Sequence, residues 1–239
     1  MFFSSLLFLF RFLPIVLILY YISPPKLRNT TLFITSLIFY CWCEVRYFPV
    51  MVVTILINYL CALAVEKSGD RLFWRRFFLI LSLVGSLGLL LYFKYSYFFV
   101  SNLNIFLNLG VSEAILKQLQ AIVLPLGISF YTFQTLSYTI DVYWKRVPAE
   151  RNIVNFGAYV VMFPQLIAGP IVRYSEINER LHVLKGRISI AEIDEGITQF
   201  IFGLAKKVLI ADNISRLWAD IVGQYNRPLY PADDHAETN

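Results

Sequence analysis

Residues 77–100 read FFLILSLVGSLGLLLYFKYSYFFV, a run in which Lys94 is the only charged residue. A helix needs about 20 mainly apolar residues to cross the hydrocarbon core of a bilayer. This stretch is therefore long and apolar enough to span a membrane as a single helix. Apolar runs of similar length occur on both sides of it. Together, these runs indicate a protein that crosses the membrane several times.

The composition of the chain also favours a membrane protein. Of its 239 residues, 58% are hydrophobic and 15% are charged, whereas soluble domains are about 45–50% apolar and about 25% charged. A soluble fold would have to expose large apolar patches, given 21 Phe and 15 Tyr. The net charge of +5 comes from short loops that have no neighbouring aromatic platform, which argues against nucleic-acid binding. The sequence thus predicts an all-α integral membrane protein.

The apolar runs predict where the membrane helices lie. Spans are expected at residues 3–22, 30–45, 47–65, 77–100 and 119–140. Two further apolar stretches, 153–172 and 197–222, precede a polar tail at 223–239. Arg11 lies inside the first span, so it must snorkel, face other helices, or mark a later start of that span.

The distribution of Lys and Arg between the short loops predicts the orientation, because cytoplasmic loops carry an excess of basic residues. Two segments contain one each, Arg46 and Lys117. Three other segments are rich in them: Lys26 and Arg28; Lys67, Arg71, Arg75 and Arg76; Lys145, Arg146 and Arg151. The tally of nine against two places the rich segments in the cytoplasm and the N-terminus outside. The sequence thus predicts a protein that crosses the membrane several times.

Residues 153–172 do not fit this alternation, because basic segments flank them on both sides. The sequences Phe163-Pro164-Gln165 and Ala168-Gly169-Pro170 also interrupt a continuous helix. One interpretation is a re-entrant segment that lines a cavity, since broken backbone at membrane depth must be satisfied by protein or water. The other is a kinked spanning helix.

Polar side chains inside the predicted spans have two readings as well. Ser129, Tyr131, Thr132, Gln134 and Thr135 follow Leu124-Pro125-Leu126-Gly127 within the span 119–140. Such side chains face other helices, where they act as packing contacts, or a substrate pathway. For Asn58, in the third span, helix packing is the preferred reading.

The residues themselves do not reveal a catalytic group. The sequence contains no phosphate-binding loop and no Gly-x-Ser-x-Gly elbow. The cysteines at 41, 43 and 61 are expected to be buried apolar residues, and no metal site is predicted. His182 is expected to be a solvated surface residue, and His235 lies in the polar tail. The adjacent Lys206 and Lys207 either anchor a helix at lipid headgroups or attract a phosphate-bearing donor.

Several motifs, in order along the chain, resemble the membrane-bound O-acyltransferase family. Closest is the bacterial branch that acetylates alginate and similar exopolysaccharides, over roughly residues 1–222. The matching runs are LPLGISFYTFQ at 124–134, DVY at 141–143, FPQLIAGPIVRY at 163–174 and GLAKKVLIADN at 203–213, with MFFSS at 1–5 and YFKY at 92–95.

The resemblance implies a multi-helix membrane bundle with a central tunnel, located in a bacterial inner membrane. It implies transfer of an acetyl group from a cytoplasmic donor, such as acetyl-CoA, toward an extracytoplasmic polysaccharide through periplasmic partner proteins. It predicts Gln134, Pro164, Gln165, Gly169 and Pro170 as tunnel-lining residues. Basic residues on the donor side would be Arg173, Lys206 and Lys207.

The resemblance covers only the N-terminal part of such an enzyme. The family's near-invariant histidine lies beyond the stretch matched here, so no residue of this chain is expected to be catalytic, and the chain alone is expected to be inactive. Within the family the alternative is transfer of D-alanine or another acyl group to cell-wall polymers. Outside it, the alternative is a non-catalytic membrane scaffold, pore or transporter fragment.

Overall fold

The computed structural model of the chain describes residues 5–107, 110–166, 172–182 and 190–225. These residues are helical and include no β-strand, which confirms the predicted all-α class. They form two compact units. The first contains the described residues from 10 to 182, and the second contains residues 5–9 and 190–225.

Nine α-helices make up the described part of the first unit. They are α1 (Leu13–Ile22), α2 (Arg28–Glu44), α3 (Phe48–Lys67), α4 (Leu72–Leu107), α5 (Glu113–Gln120), α6 (Ile128–Tyr143), α7 (Ile153–Val161), α8 (Phe163–Leu166) and α9 (Tyr174–His182). A π-helical turn, Phe8–Phe12, leads into α1, and a 3₁₀ turn, Pro25–Leu27, precedes α2. Helices α3, α4 and α6 pack on one another, while α2 packs mainly on α7.

Helices α3 and α4 are long and apolar enough to cross a membrane. Helix α3 has 20 residues and corresponds to the predicted span 47–65. Helix α4 has 36 residues and extends beyond the predicted 77–100 at both ends. At 1.5 Å per residue it is about 54 Å long, well over the roughly 30 Å of hydrocarbon, so its ends reach past the apolar layer of any membrane it crosses.

The structure differs from the single helix expected at 119–140. Helix α5 ends at Gln120 and α6 begins at Ile128, with irregular backbone between them. Pro125 cannot donate a backbone hydrogen bond there. Gly127 adopts a φ of 70°, a left-handed conformation that glycine reaches without steric cost. These two residues are the physical reason why the helix is interrupted.

The apolar stretch 153–172 is also interrupted in its described part. Helix α7 ends at Val161, Met162 leaves the helical conformation with a ψ of 112°, and α8 ends at Leu166. Pro164 lies in the first turn of α8, where its missing N–H costs little. Gly169 and Pro170 lie outside the described residues. The choice between a re-entrant and a kinked spanning segment therefore stays a prediction.

The three segments rich in Lys and Arg meet at one end of the first unit, here called the basic end (residues 23–29, 66–76 and 141–152). Lys145 Nζ lies 3.0 Å from Asp70 Oδ1, which joins the second and third segments. Asn29 Nδ2 donates to Asn155 Oδ1 at 2.9 Å, which joins the first segment to the start of α7. That this end is cytoplasmic stays a prediction.

The second unit is one continuous helical stretch in its described part from residue 190 onward. Helix α10 (Ile190–Ala205) runs through a π-helical segment (Lys206–Ala211) into α11 (Asp212–Tyr225). The helix therefore continues past residue 222, where the polar tail was expected to begin. Many of its large apolar side chains are exposed, among them Phe202, Leu209 and Trp218.

Candidate functional site

A buried polar cluster holds α3, α4 and α6 together. Asn58 Nδ2 donates to Ser86 Oγ at 2.7 Å, and Asn58 Oδ1 accepts from Ser82 Oγ at 2.7 Å and from Thr139 Oγ1 at 3.2 Å. All four side chains are fully buried. One amide thus connects three helices, which is the packing role preferred for Asn58 from the sequence.

We expect Asn58→Ala to lower the free energy of unfolding of the chain in detergent by about 1–2 kcal/mol, because it leaves buried hydroxyls on α4 and α6 without their partner. Denaturant titration followed by circular dichroism measures the effect. Asn102→Ala is the matched control, since Asn102 also donates to the carbonyl four residues back, at 2.7 Å, but is exposed. Equal losses for the two variants would show that the interhelical bonds of Asn58 contribute nothing.

The loop between α5 and α6 is clamped by side chains from α2. The backbone N–H of Leu126 donates to Glu44 Oε2 at 2.6 Å, and Tyr40 donates to the carbonyl of Leu126 at 3.4 Å. A Cβ at Gly127 would lie 3.0 Å from the carbonyl oxygen of Leu166, so α8 packs directly on this loop. The two breaks in the helices of the first unit therefore lie next to each other, and side chains of α2 satisfy both backbone polar groups of Leu126.

Of the predicted tunnel residues, three lie in the described part of the chain. Gln134 is buried and its Nε2 donates to the carbonyl of Tyr159 at 2.9 Å, which links α6 to α7. Pro164 is exposed. Gln165 is buried, and its Nε2 has no hydrogen-bond partner among the described residues.

Two further buried groups on α6 resemble Gln165 in lacking a partner. The hydroxyl groups of Tyr131 and Thr132 have no hydrogen-bond partner in the described part of the chain, although both side chains are fully buried. Buried polar groups are normally satisfied, so each such group calls for a partner such as water, substrate or further protein. Both belong to the LPLGISFYTFQ run, and Gln165 belongs to the FPQLIAGPIVRY run.

The best-connected carboxylate of the site, Glu150, was missed by reasoning from the sequence. Its side chain is 4% exposed, and its Oε2 accepts from Tyr174 at 2.5 Å and lies 2.9 Å from His182 Nε2. Its Oε1 accepts from the backbone of Asn152 at 2.8 Å, and its own N–H donates to the hydroxyl of Tyr138 at 2.8 Å. We call Glu150, Tyr138, Tyr174 and His182 the Glu150 cluster.

His182 is exposed, as the sequence predicted, but it also contacts Glu150. Its side chain is 49% exposed, yet both ring nitrogens have partners. Nδ1 lies 2.9 Å from the carbonyl of Asn178 and must carry a proton to bond there. The contact of Nε2 with the Glu150 carboxylate joins the C-terminal end of α9 to the segment before α7.

The predicted donor-side residues do not all lie in one unit. Arg173 lies in the first unit and is exposed. Lys206 and Lys207 lie in the π-helical segment of the second unit, and Lys207 pairs with Asp212 at 3.7 Å. Within the described residues, no group of three or more His, Cys, Asp or Glu side chains could hold a metal ion. Cys61 is buried as expected, whereas Cys41 and Cys43 are only partly buried, and none of the three forms a disulfide.

Most of the chain is similar in sequence to curated bacterial proteins that are named O-acetylases or O-acetyltransferases. It is 41% identical over 220 residues to the probable alginate O-acetylase AlgI of Azotobacter vinelandii, covering 90% of this chain and 42% of that protein. The AlgI protein of Pseudomonas aeruginosa is 41% identical over 222 residues, covering 91% and 41%. The peptidoglycan O-acetyltransferase of Helicobacter pylori is 32% identical over 241 residues, covering 88% and 44%.

These matches confirm the predicted resemblance: the chain is a homologue of alginate O-acetylases, at about 41% identity over 90% of its length. It spans about two fifths of the length of the curated relatives it matches. No protein-family model matches the sequence, and no solved structure matches it.

Proposed function

We propose that this chain forms the N-terminal part of a membrane O-acetyltransferase that acetylates an extracytoplasmic polysaccharide of the alginate type. The observation that carries the proposal is the identity of about 41% over 90% of the chain to proteins named alginate O-acetylases. The described geometry supports it, because the two motif runs at 124–134 and 163–174 meet where Gly127 packs on Leu166.

The proposal assigns buried polar groups of the first unit to the wall of a substrate tunnel. Tyr131, Thr132 and Gln165 each present a buried polar atom that the described residues leave without a partner. In a complete enzyme, these atoms would face substrate, water or the remaining helices. Gln134 would position α7 beside α6, because it donates a hydrogen bond to the backbone of α7.

The proposed setting is the bacterial inner membrane, with the basic end in the cytoplasm and the N-terminus outside. Two features support it: the two helices of membrane-spanning length, and the meeting of the basic segments at one end of the first unit. A cytoplasmic donor such as acetyl-CoA would then deliver the acetyl group from the basic end. Periplasmic partner proteins would complete its transfer to the polymer.

A second acceptor, peptidoglycan, is favoured by one observation. The Helicobacter pylori relative is named a peptidoglycan O-acetyltransferase and is 32% identical over 88% of this chain. Alginate-type polysaccharide remains the preferred acceptor, because the identity to the alginate O-acetylases is higher. Polymer-bound acetate, assayed separately on each polymer, distinguishes the two. D-Alanine on cell-wall polymer with no acetate would instead support the other acyl transfer.

The experiment uses a bacterial host that lacks its own alginate O-acetylase but retains the partner proteins. It receives the Pseudomonas aeruginosa enzyme, a chimera in which this chain replaces the matched region, or this chain alone. We expect acetate on the polymer with the enzyme and the chimera, but not with the chain alone. A chimera that inserts into the membrane yet transfers no acyl group would contradict the proposal and favour a scaffold or transporter fragment. Activity of the chain alone would overturn the expectation that its catalytic group lies elsewhere.

Within the chimera, Gln165→Leu is expected to lower polymer acetylation about tenfold or more while leaving membrane insertion intact. The physical reason is that a transition state loses a polar partner worth about 1.4 kcal/mol or more. Gln118→Leu is the matched control, because Gln118 is exposed on α5. Unchanged acetylation in Gln165→Leu would show that this side chain does not line the proposed tunnel.

A further inference from the structure

A cavity at the basic end is lined by three cationic side chains. It has a volume of about 390 Å³ and lies between the ends of α3, α4 and α6. Arg75 comes from α4, and Lys145 and Arg146 come from the segment after α6; Glu66 contributes a carboxylate to the lining. The cavity is within the usual size range of small-ligand sites, about 300–1,000 Å³.

The cations of this cavity are held in place but remain available to an anion. Arg75 donates through Nη2 to the carbonyl of Tyr143 and lies over the Tyr143 ring, 4.9 Å from its centre. Arg146 lies 3.4 Å from Asp141, and Glu66 is paired with Arg151 at 3.8 Å. Because one nitrogen of each guanidinium makes its polar contact, the remaining N–H groups can still bind an anion bidentately.

Of the three cations, Lys145 is the one that can most readily leave its present partner, Asp70. Its partner Asp70 lies 3.0 Å away, but the two side chains are 63% and 97% exposed, and exposed ion pairs contribute little stability. Lys145 also has a φ of 57°, which is uncommon outside glycine. Backbone strain of this kind clusters at ligand clamps. Lys145 is one of the residues that line the cavity.

Aromatic side chains around the cavity indicate the depth at which it would lie in a membrane. Trp144 is exposed and carries the guanidinium of Arg146 over its ring at 4.5 Å. Trp74 lies in the first turn of α4 and is also exposed. Its ring stacks on Phe78. Exposed Trp and Tyr beside basic residues mark the headgroup level of a bilayer. The phosphates of membrane lipids lie at this level.

We propose that the cavity lined by Arg75, Lys145 and Arg146 binds the phosphate group of an anionic phospholipid at the membrane surface. Basic pockets between membrane helices recognise anionic headgroups in this way. The lipid phosphate takes the place of Asp70 as the partner of Lys145. Lipid binding therefore competes with the Lys145–Asp70 pair. Removal of Lys145 should weaken lipid binding, and removal of the Asp70 charge should strengthen it.

The test measures lipid retention by the purified full chain in a neutral detergent, using native mass spectrometry with equal amounts of phosphatidylglycerol and phosphatidylcholine. We expect the wild type to retain phosphatidylglycerol preferentially. Lys145→Gln and Arg75→Gln should each reduce that preference about fivefold, which corresponds to the effect of one cation near a lipid surface. Asp70→Asn should raise it, because Lys145 then loses its competing partner.

Lys26→Gln is the matched control, because Lys26 is an exposed lysine of the basic end that does not line the cavity. An equal reduction in Lys26→Gln and Lys145→Gln would overturn the proposal in favour of a diffuse surface charge effect. Unchanged preference in Lys145→Gln would overturn it as well. Lys145 is exposed, so its variant is expected to fold even if Arg75→Gln does not.

A soluble phosphate compound is the other source of the same chemistry. Glycerol 3-phosphate and pyrophosphate are therefore added separately at millimolar concentration. We expect neither to displace retained phosphatidylglycerol, because neither has acyl chains to partition into the detergent. Complete displacement by either one, with loss of this effect in Lys145→Gln, would overturn the lipid assignment and identify a site for soluble phosphoesters.

Discussion

Glu150→Ala is expected to lower the free energy of unfolding of the chain by about 3 kcal/mol. The substitution leaves the buried hydroxyl of Tyr174 without its charged acceptor, and an unpaired buried donor costs about 1–3 kcal/mol or more. The N–H of Asn152 also loses its acceptor, but Asn152 is exposed and water can replace it. The contribution of His182 is smaller, because its side chain is 49% exposed and water can replace the lost partner. Denaturant titration in detergent, followed by circular dichroism, measures the loss.

The neutral state of Tyr174 is part of this argument. Burial, the hydrogen bond to Glu150 and the nearby carboxylate charge all raise the pKa of the Tyr174 phenol. The phenol therefore stays protonated at neutral pH and donates to Glu150. Tyr174→Phe should consequently recover part of the loss in a Glu150→Ala background, because it removes the donor that was left unpaired.

Two variants separate the Glu150 cluster from a general effect of charge. Glu113→Ala is the control, since Glu113 is exposed in the first turn of α5. Glu150→Gln keeps an oxygen acceptor at nearly the same volume, so it should cost less than Glu150→Ala. A loss in Glu150→Ala no greater than in Glu113→Ala would show that the cluster does not stabilise the fold.

The apolar runs were sufficient to predict the long helices, because hydropathy and length depend on local sequence alone. The sequence run 47–65 corresponds to α3, and 77–100 lies within α4. The break at Pro125 and Gly127 had a local signal too, namely a proline followed by a glycine. The apolar character of 119–140 outweighed that signal in the prediction, so the span was begun in the last residues of α5 and the loop before α6 was read as helix.

The Glu150 cluster had no such local signal. Glu150, Tyr174 and His182 are separated by 24 and 8 residues, and only the packing of α9 against α6 and α7 brings them together. The segment 141–152 was read for its Lys and Arg and for the DVY run at its start, and Glu150 was left without a role. The same holds for the basic cavity, whose cations come from two segments that are distant in sequence.

Gly127→Ala is expected to lower the free energy of unfolding by about 2 kcal/mol. A residue with a Cβ costs roughly 1–2 kcal/mol in the left-handed region, and Gly127 has a φ of 70°. The added Cβ would also lie 3.0 Å from the backbone oxygen of Leu166. A backbone atom cannot move aside as a flexible side chain can, so α8 would have to shift away from the start of α6.

Gly110→Ala separates these two costs, because Gly110 has a similar φ of 63° but an added Cβ there would meet no atom of the described residues within 4 Å. It should show the conformational cost alone, about 1 kcal/mol. The excess in Gly127→Ala then measures the contact with α8. In the chimera, only Gly127→Ala should also lower polymer acetylation, because the motif runs at 124–134 and 163–174 would separate. Equal losses of stability in the two variants, with acetylation intact, would show that the packing of α8 on this loop supports neither the fold nor the proposed tunnel.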